Sequence, residues 1–163
     1  MTTELVRTAS TVGESNLHLQ ITPAYRRDIF SDSEVRNLAR SYILEKLKQM
    51  KIAILAEDGG PDHWHFFLAN WKNYGIAAIA QHVKGYSSRM MRKHHRHLFA
   101  HKLWGKKFWT EGYFYRTVGV VNKTTMQRYI EQSQSKHWEK VDATTYEHRK
   151  QLSLLHFVQR SGL

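Results

Sequence analysis

A chain of 163 residues, 41% of them apolar, is long enough for one domain with its own core and too apolar to be globally disordered. The absence of cysteine excludes disulfides, thiolate metal sites and thiol nucleophiles, and a formal net charge of +11 is more than an enzyme of neutral small molecules needs. That charge points to a polyanionic partner, of which nucleic acid is the commonest, and no stretch approaches the about 20 apolar residues of a membrane span.

Residues 1–15 are polar, without the apolar run of a signal peptide, and read as a flexible leader to a soluble, cytoplasmic protein with no membrane partner. Leu17, Leu19 and Ile21 then alternate with His18 and Gln20, the pattern of a half-buried strand. Pro23 closes it, and the basic Tyr25-Arg26-Arg27 follows. Ser31-Asp32-Ser33-Glu34 supplies caps for a helix whose apolar stripe is Val35, Leu38, Ala39, Tyr42, Leu47 and Met50. A second strand is expected at 52–55. The turn cluster Glu57-Asp58-Gly59-Gly60-Pro61 then feeds a third strand as an antiparallel hairpin. Ile76, Ile79, Ala80 and Val83 mark a second helix, from about residue 74 into the basic region 89–97. A strand is expected at 113–120, and Asn122 would cap a helix over 124–134. Residues 135–163 form a C-terminal extension in which Leu152, Leu154, Leu155 and Val158 suggest one more helix.

The order strand, helix, strand, strand, helix, strand is the β-α-β-β-α-β unit of ferredoxin-like and RRM-like α+β folds. Residues 16–134 would form that domain. Both helices pack on one face of an antiparallel sheet, the other face is open to nucleic acid or chemistry, and a further helix carries Tyr129.

The third strand holds Pro61-Asp62-His63-Trp64-His65-Phe66-Phe67-Leu68. Successive strand side chains point to opposite faces, so His63 and His65 share one and Trp64 takes the other. Two imidazoles on one rigid face, beside the carboxylate of Asp62, make most of a divalent metal site. With eleven histidines in the chain, the same spacing also arises by chance. Tyr129 lies among polar neighbours on the expected helix, and a phenol is one of the side chains that serve as covalent nucleophiles; the alternative is a packing tyrosine with its hydroxyl at the surface. Arg26, Arg27, Lys84, Arg89, Arg92, Lys93, Arg96, Lys102, Lys106 and Lys107 are candidate phosphate contacts, and Tyr86, Trp104 and Trp109 could stack on unpaired bases. His97 and His101, four apart and near His94 and His95, suit either a zinc ion or a basic surface whose charge rises as pH falls.

Five segments together resemble one family. They are Leu17-His18-Leu19-Gln20-Ile21-Thr22-Pro23-Ala24-Tyr25-Arg26-Arg27; the His63–His65 strand; Val83-Lys84-Gly85-Tyr86-Ser87-Ser88; Trp109-Thr110-Glu111-Gly112-Tyr113-Phe114-Tyr115-Arg116-Thr117-Val118-Gly119; and Arg128-Tyr129-Ile130-Glu131. In this order they resemble the single-tyrosine HUH transposases, the transposase A proteins of the insertion-sequence two-hundred-like family. The resemblance implies that His63 and His65 hold Mg²⁺ or Mn²⁺ and that Tyr129 attacks single-stranded DNA, leaving a 5′-phosphotyrosine link and a free 3′-hydroxyl. It also implies a homodimer, recognition of hairpins at the element ends with Ser87 and Ser88 in the DNA-binding segment, no small-molecule cofactor, and a nucleoid-associated product of a prokaryotic mobile element. The family places a glutamine four residues after the tyrosine as a third metal ligand. Here that position is Ser133, flanked by Gln132 and Gln134, so Gln132, Ser133 through a water, and Asp62 are the alternatives. Two other readings share the fold: a non-catalytic nucleic-acid-binding module, and a host-domesticated relative that processes chromosomal repeat hairpins. A replication or conjugation relaxase would ordinarily be longer than this chain.

Overall fold

The computed structural model describes residues 6–7, 12–13, 15–119, 124 and 128. In chain order the elements are β1 (Val6–Arg7), β2 (Val12–Gly13), β3 (Asn16–Ile21), α1 (Ser33–Gln49), β4 (Ala53–Gly60), β5 (His63–Ala69), α2 (Ile76–His94), the short α3 (Arg96–Phe99) and β6 (Phe114–Val118). The main sheet runs β4-β5-β3-β6, every neighbour antiparallel. This is the expected α+β arrangement, with the first and third strands of the unit at the centre. Within the segment expected as a leader, β1 and β2 pair, Val6 opposite Gly13 and Arg7 opposite Val12.

Helix α1 has a local start signal, and both long helices are fixed by what they bury. Asp32 caps α1, its Oδ1 accepting from Glu34 N at 2.8 Å and Val35 N at 3.3 Å, a contribution of about 1 kcal/mol. Val35, Ala39, Ile43 and Leu47 of α1 and Ile79, Ala80, Val83 and Met91 of α2 are buried. They join one core with Leu17, Leu19 and Ile21 of β3 and Trp64, Phe66 and Leu68 of β5. Those strand residues all belong to one face of the sheet, so both helices cover that face.

Strand β4 runs through Gly60, five residues past the expected end, and the turn shrinks to Pro61 and Asp62. Glycine here makes room and does not break the strand. A Cβ at Gly59 would lie 2.9 Å from the Trp64 ring, and one at Gly60 would clash still more closely with the His63 ring. The connection 100–113 also turns inward. Ala24 N donates to Phe108 O and Thr110 N to Thr22 O, both at 2.9 Å. Phe108 and Trp109 pack with Phe30 and Phe99. Trp109, read as a base-stacking residue, is therefore core, and its Nε1 donates to Ser87 Oγ at 2.9 Å.

Of the expected third helix, Thr124 and Arg128 are helical and exposed. Tyr129, Gln132, Ser133 and the extension 135–163 lie outside the described residues. Among the described residues no helix is long and apolar enough to cross a membrane.

Candidate metal centre and nucleic-acid interface

The second face of the sheet carries the histidines. Antiparallel register sets His65 between Asp58 of β4 and Gln20 of β3, and Gln20 in turn faces Phe114 of β6. His18 lies opposite Phe67. The sequence pattern puts His18 and Gln20 on an open half of the strand, but both are 1% exposed; His63 is 6% and His65 0% exposed. β3 is a central strand buried on both faces, and cross-strand register, invisible in a local pattern, brings its polar face against the histidine pair.

Both imidazoles are held through Nδ1. His63 Nδ1 lies 2.7 Å from Asp62 Oδ1, and His65 Nδ1 lies 3.0 Å from His18 Nε2. The His18 ring is itself fixed, stacked on Phe67 at 4.7 Å between centroids and edge-on to Phe114 at 5.6 Å. Such outer hydrogen bonds set a ligand's tautomer and ring orientation. A cation held by this pair would be bound through Nε2 of each ring, with His63 Nδ1–H donating to Asp62 and His65 Nδ1–H donating to His18.

Asp62 acts on the pair from outside. Its Oδ2 accepts from Arg26 Nε at 3.1 Å and from Arg26 Nη2, while Oδ1 serves His63. Burial opposes ionisation of this carboxyl, but the hydrogen bonds from His63 and Arg26 and the guanidinium charge outweigh it and hold its pKa at about 2. Arg26 reaches Asp62 from a turn in which Tyr25 and Arg26 both take left-handed backbone angles, φ 57° and 51°. Two consecutive non-glycine residues there are costly, and the ion pair helps to hold them. Arg26, read as a DNA contact, is thus engaged within the site.

Among the described residues no group of three His, Cys, Asp or Glu side chains could hold a metal ion. Neither His94, His95, His97 and His101 nor the β5 pair makes such a group; His95 Nε2 lies 2.9 Å from Tyr42 Oη. Two imidazole nitrogens with their outer partners in place nevertheless suit a borderline or hard divalent cation. Beside them, neither side-chain polar atom of Gln20 has a hydrogen-bond partner among the described residues.

Lys102 pairs with Asp28, and the other expected DNA contacts fall into two groups, the first of them joined by Tyr25. Tyr25, Arg27, Trp104, Lys106 and Lys107 are exposed on the turn after β3 and the loop that packs on it; Tyr25 and Trp104 are 75% and 64% exposed. The Arg27 guanidinium lies 5.1 Å above the Trp104 ring, and Lys107 pairs with Glu111. This patch adjoins Arg26 and Asp62 at the end of the sheet where His63 begins β5. Tyr25 belongs to it but is not among the DNA contacts expected from the sequence, although its place between Pro23 and two arginines is a usable signal.

The α2 group, Lys84, Tyr86, Ser87, Ser88, Arg89, Arg92 and Lys93, together with Arg96, lies on the helical layer behind the sheet. Arg89, Lys93 and Arg96 are exposed. Tyr86 is half-buried beside Arg89 and Lys46. Lys84 Nζ donates to the carbonyls of Glu111 at 2.7 Å and Gly112 at 3.0 Å, and Arg92 donates to that of Lys107, so both tie the loop to α2. Ser87 is fully buried, donating to Val83 O at 2.7 Å and accepting from Trp109. It is a core residue and does not reach the surface.

Comparison with known proteins gives the arrangement a family. The family model described as "Transposase IS200 like" matches residues 11–133. The ISDra2 transposase TnpA of Deinococcus radiodurans is 27% identical over 119 residues, covering 73% of this chain and 84% of its own. The crystal structure of a candidate transposase from Deinococcus radiodurans R1 superposes with a TM-score of 0.62 at 23% identity, covering 81% of this chain and 100% of that one. A weaker likeness, TM-score 0.47 at 13% identity, covers 79% of this chain and 69% of a REP-associated tyrosine transposase bound to a REP hairpin. By the family match over most of its length, the chain belongs to the IS200-like transposases.

Proposed function

We propose that this transposase cleaves and rejoins single-stranded DNA at hairpin-bearing insertion-sequence ends, using Tyr129 as nucleophile and a divalent cation, Mg²⁺ or Mn²⁺, on His63 and His65. The observation that carries the reading is the fixing of both rings through Nδ1, by Asp62 and by His18, which would direct two Nε2 atoms from one rigid strand to a common ion. When bound, the cation would polarise the scissile phosphate and stabilise the leaving oxygen.

The chain's own groups would do the rest. The Tyr129 oxygen attacks phosphorus and loses its proton; the bond from phosphorus to the 3′-oxygen breaks, and that oxygen takes up a proton as a 3′-hydroxyl. One phosphodiester becomes another, so a second 3′-hydroxyl can reverse the step with no external energy source. Arg26 keeps Asp62 ionised, and Asp62 keeps the His63 proton on Nδ1. Arg27, Lys106 and Lys107 contact phosphates and Trp104 stacks on an unpaired base beside the site; Arg89, Lys93 and Arg96 supply a second basic surface for the hairpin stem. The protein acts as a homodimer in the cytoplasm, at the nucleoid.

The test is cleavage of an end-labelled single-stranded hairpin oligonucleotide from the element ends. Cleavage is expected with Mg²⁺ or Mn²⁺ and is lost with a chelator and in His63→Ala and His65→Ala. Cleavage that persists in both variants would contradict the metal role. Tight binding with no cleavage under any metal would favour the non-catalytic module.

A further inference from the structure

We propose that Gln20 is the third protein donor to the cation, bound through its side-chain oxygen from the strand next to the histidine pair. The inference rests on the metal reading above and adds a ligand to it.

Three observations converge on Gln20. Register places it directly across from His65, on the same face, so its carboxamide projects beside the imidazole. It is 1% exposed, yet neither Oε1 nor Nε2 has a hydrogen-bond partner among the described residues. A buried carboxamide without partners is costly, and a native structure keeps one where a ligand completes it. The polar neighbours on this face are engaged differently: Asn16 Nδ2 donates to Gly119 O, His18 pairs with His65, and His63 with Asp62.

The donor chemistry narrows the choice. No third His, Cys, Asp or Glu joins the pair among the described residues, so a third donor from among them must be of another type. Asp62 has one oxygen on His63 and the other on Arg26. A carboxamide oxygen is a neutral hard donor, suited to Mg²⁺ or Mn²⁺. The alternative occupant, a DNA base hydrogen-bonded to the amide, would have to reach a group that is 1% exposed.

The test measures Mn²⁺ binding to the full-length protein without DNA, by electron paramagnetic resonance of the free ion and by titration calorimetry. Gln20→Leu is expected to weaken Mn²⁺ about 10-fold or more, the scale of lost ligand-sphere contacts, while its melting temperature in chelator stays level or rises. Gln20→Glu is expected to bind Mn²⁺ at least as tightly as the native chain, because it restores an oxygen donor and adds charge. Should Gln20→Leu fold poorly, Gln20→Met supplies the apolar replacement at closer volume. Unchanged Mn²⁺ affinity in the Leu or Met variant, with affinity lost in His65→Ala, would overturn the Gln20 assignment and leave the metal reading intact. Equal, negligible binding in the native chain and His65→Ala would overturn both.

Discussion

The two faces of the central strands β3 and β5 are buried to nearly the same degree and are held by different forces. On one, Leu17, Leu19, Ile21, Trp64, Phe66 and Leu68 join α1 and α2 in an apolar core, with the Trp64 Nε1–H donating to Glu57 at its edge. On the other, His18, Gln20, His63 and His65 lie among Phe67 and Phe114, with the histidines held by hydrogen bonds and ring contacts and the Gln20 carboxamide by none among the described residues. Apolar burial is non-directional and tolerates no lost volume; a polar face has directional partners and tolerates little displacement. The helix face should therefore govern whether the chain folds, and the histidine face what it does once folded.

Substitution on each face separates the two. Phe66 is 0% exposed in the helix-covered core, and Phe66→Ala should cost about 3–5 kcal/mol, read by urea denaturation. Any loss of cleavage should track the fraction unfolded. An effect under about 1 kcal/mol would mean that the core is not where the packing places it.

Gly60→Ala addresses the joint between the faces. The added methyl would collide with the His63 ring, which must move. We expect destabilisation of about 1–3 kcal/mol and a fall in cleavage larger than the stability loss explains. Native cleavage with normal stability would mean that the ring position is not fixed by β4.

Trp104→Ala lies outside both faces. An exposed side chain over which Arg27 sits should change stability by less than about 0.5 kcal/mol. Affinity for single-stranded DNA should fall by about 1–3 kcal/mol, measured by fluorescence anisotropy at fixed salt. Unchanged affinity would remove this patch from the DNA path.

The comparison also explains what the sequence could reveal. Alternation around Trp64 is a local signal, and it places the histidines on one face and the tryptophan in the core. The cap at Asp32 is equally local. What escaped a local reading depends on partners far along the chain. Gly59 and Gly60 look like turn residues until the rings of Trp64 and His63 are seen across the hairpin. Ser87 and Lys84 look like surface contacts, but Trp109 and the carbonyls of Glu111 and Gly112 return from more than twenty residues away to meet them. His18 packs against Phe67 and Phe114 and Gln20 lies opposite His65, side chains of the two flanking strands that the pattern of β3 alone does not show.

The most direct test of the account is to trap the reaction of the protein with single-stranded element-end DNA in Mn²⁺ and identify the modified peptide by mass spectrometry. The account predicts a nucleotide linked through phosphate to Tyr129, absent in Tyr129→Phe and with chelator. A link at another residue, or cleavage that proceeds undiminished in Tyr129→Phe, would contradict it.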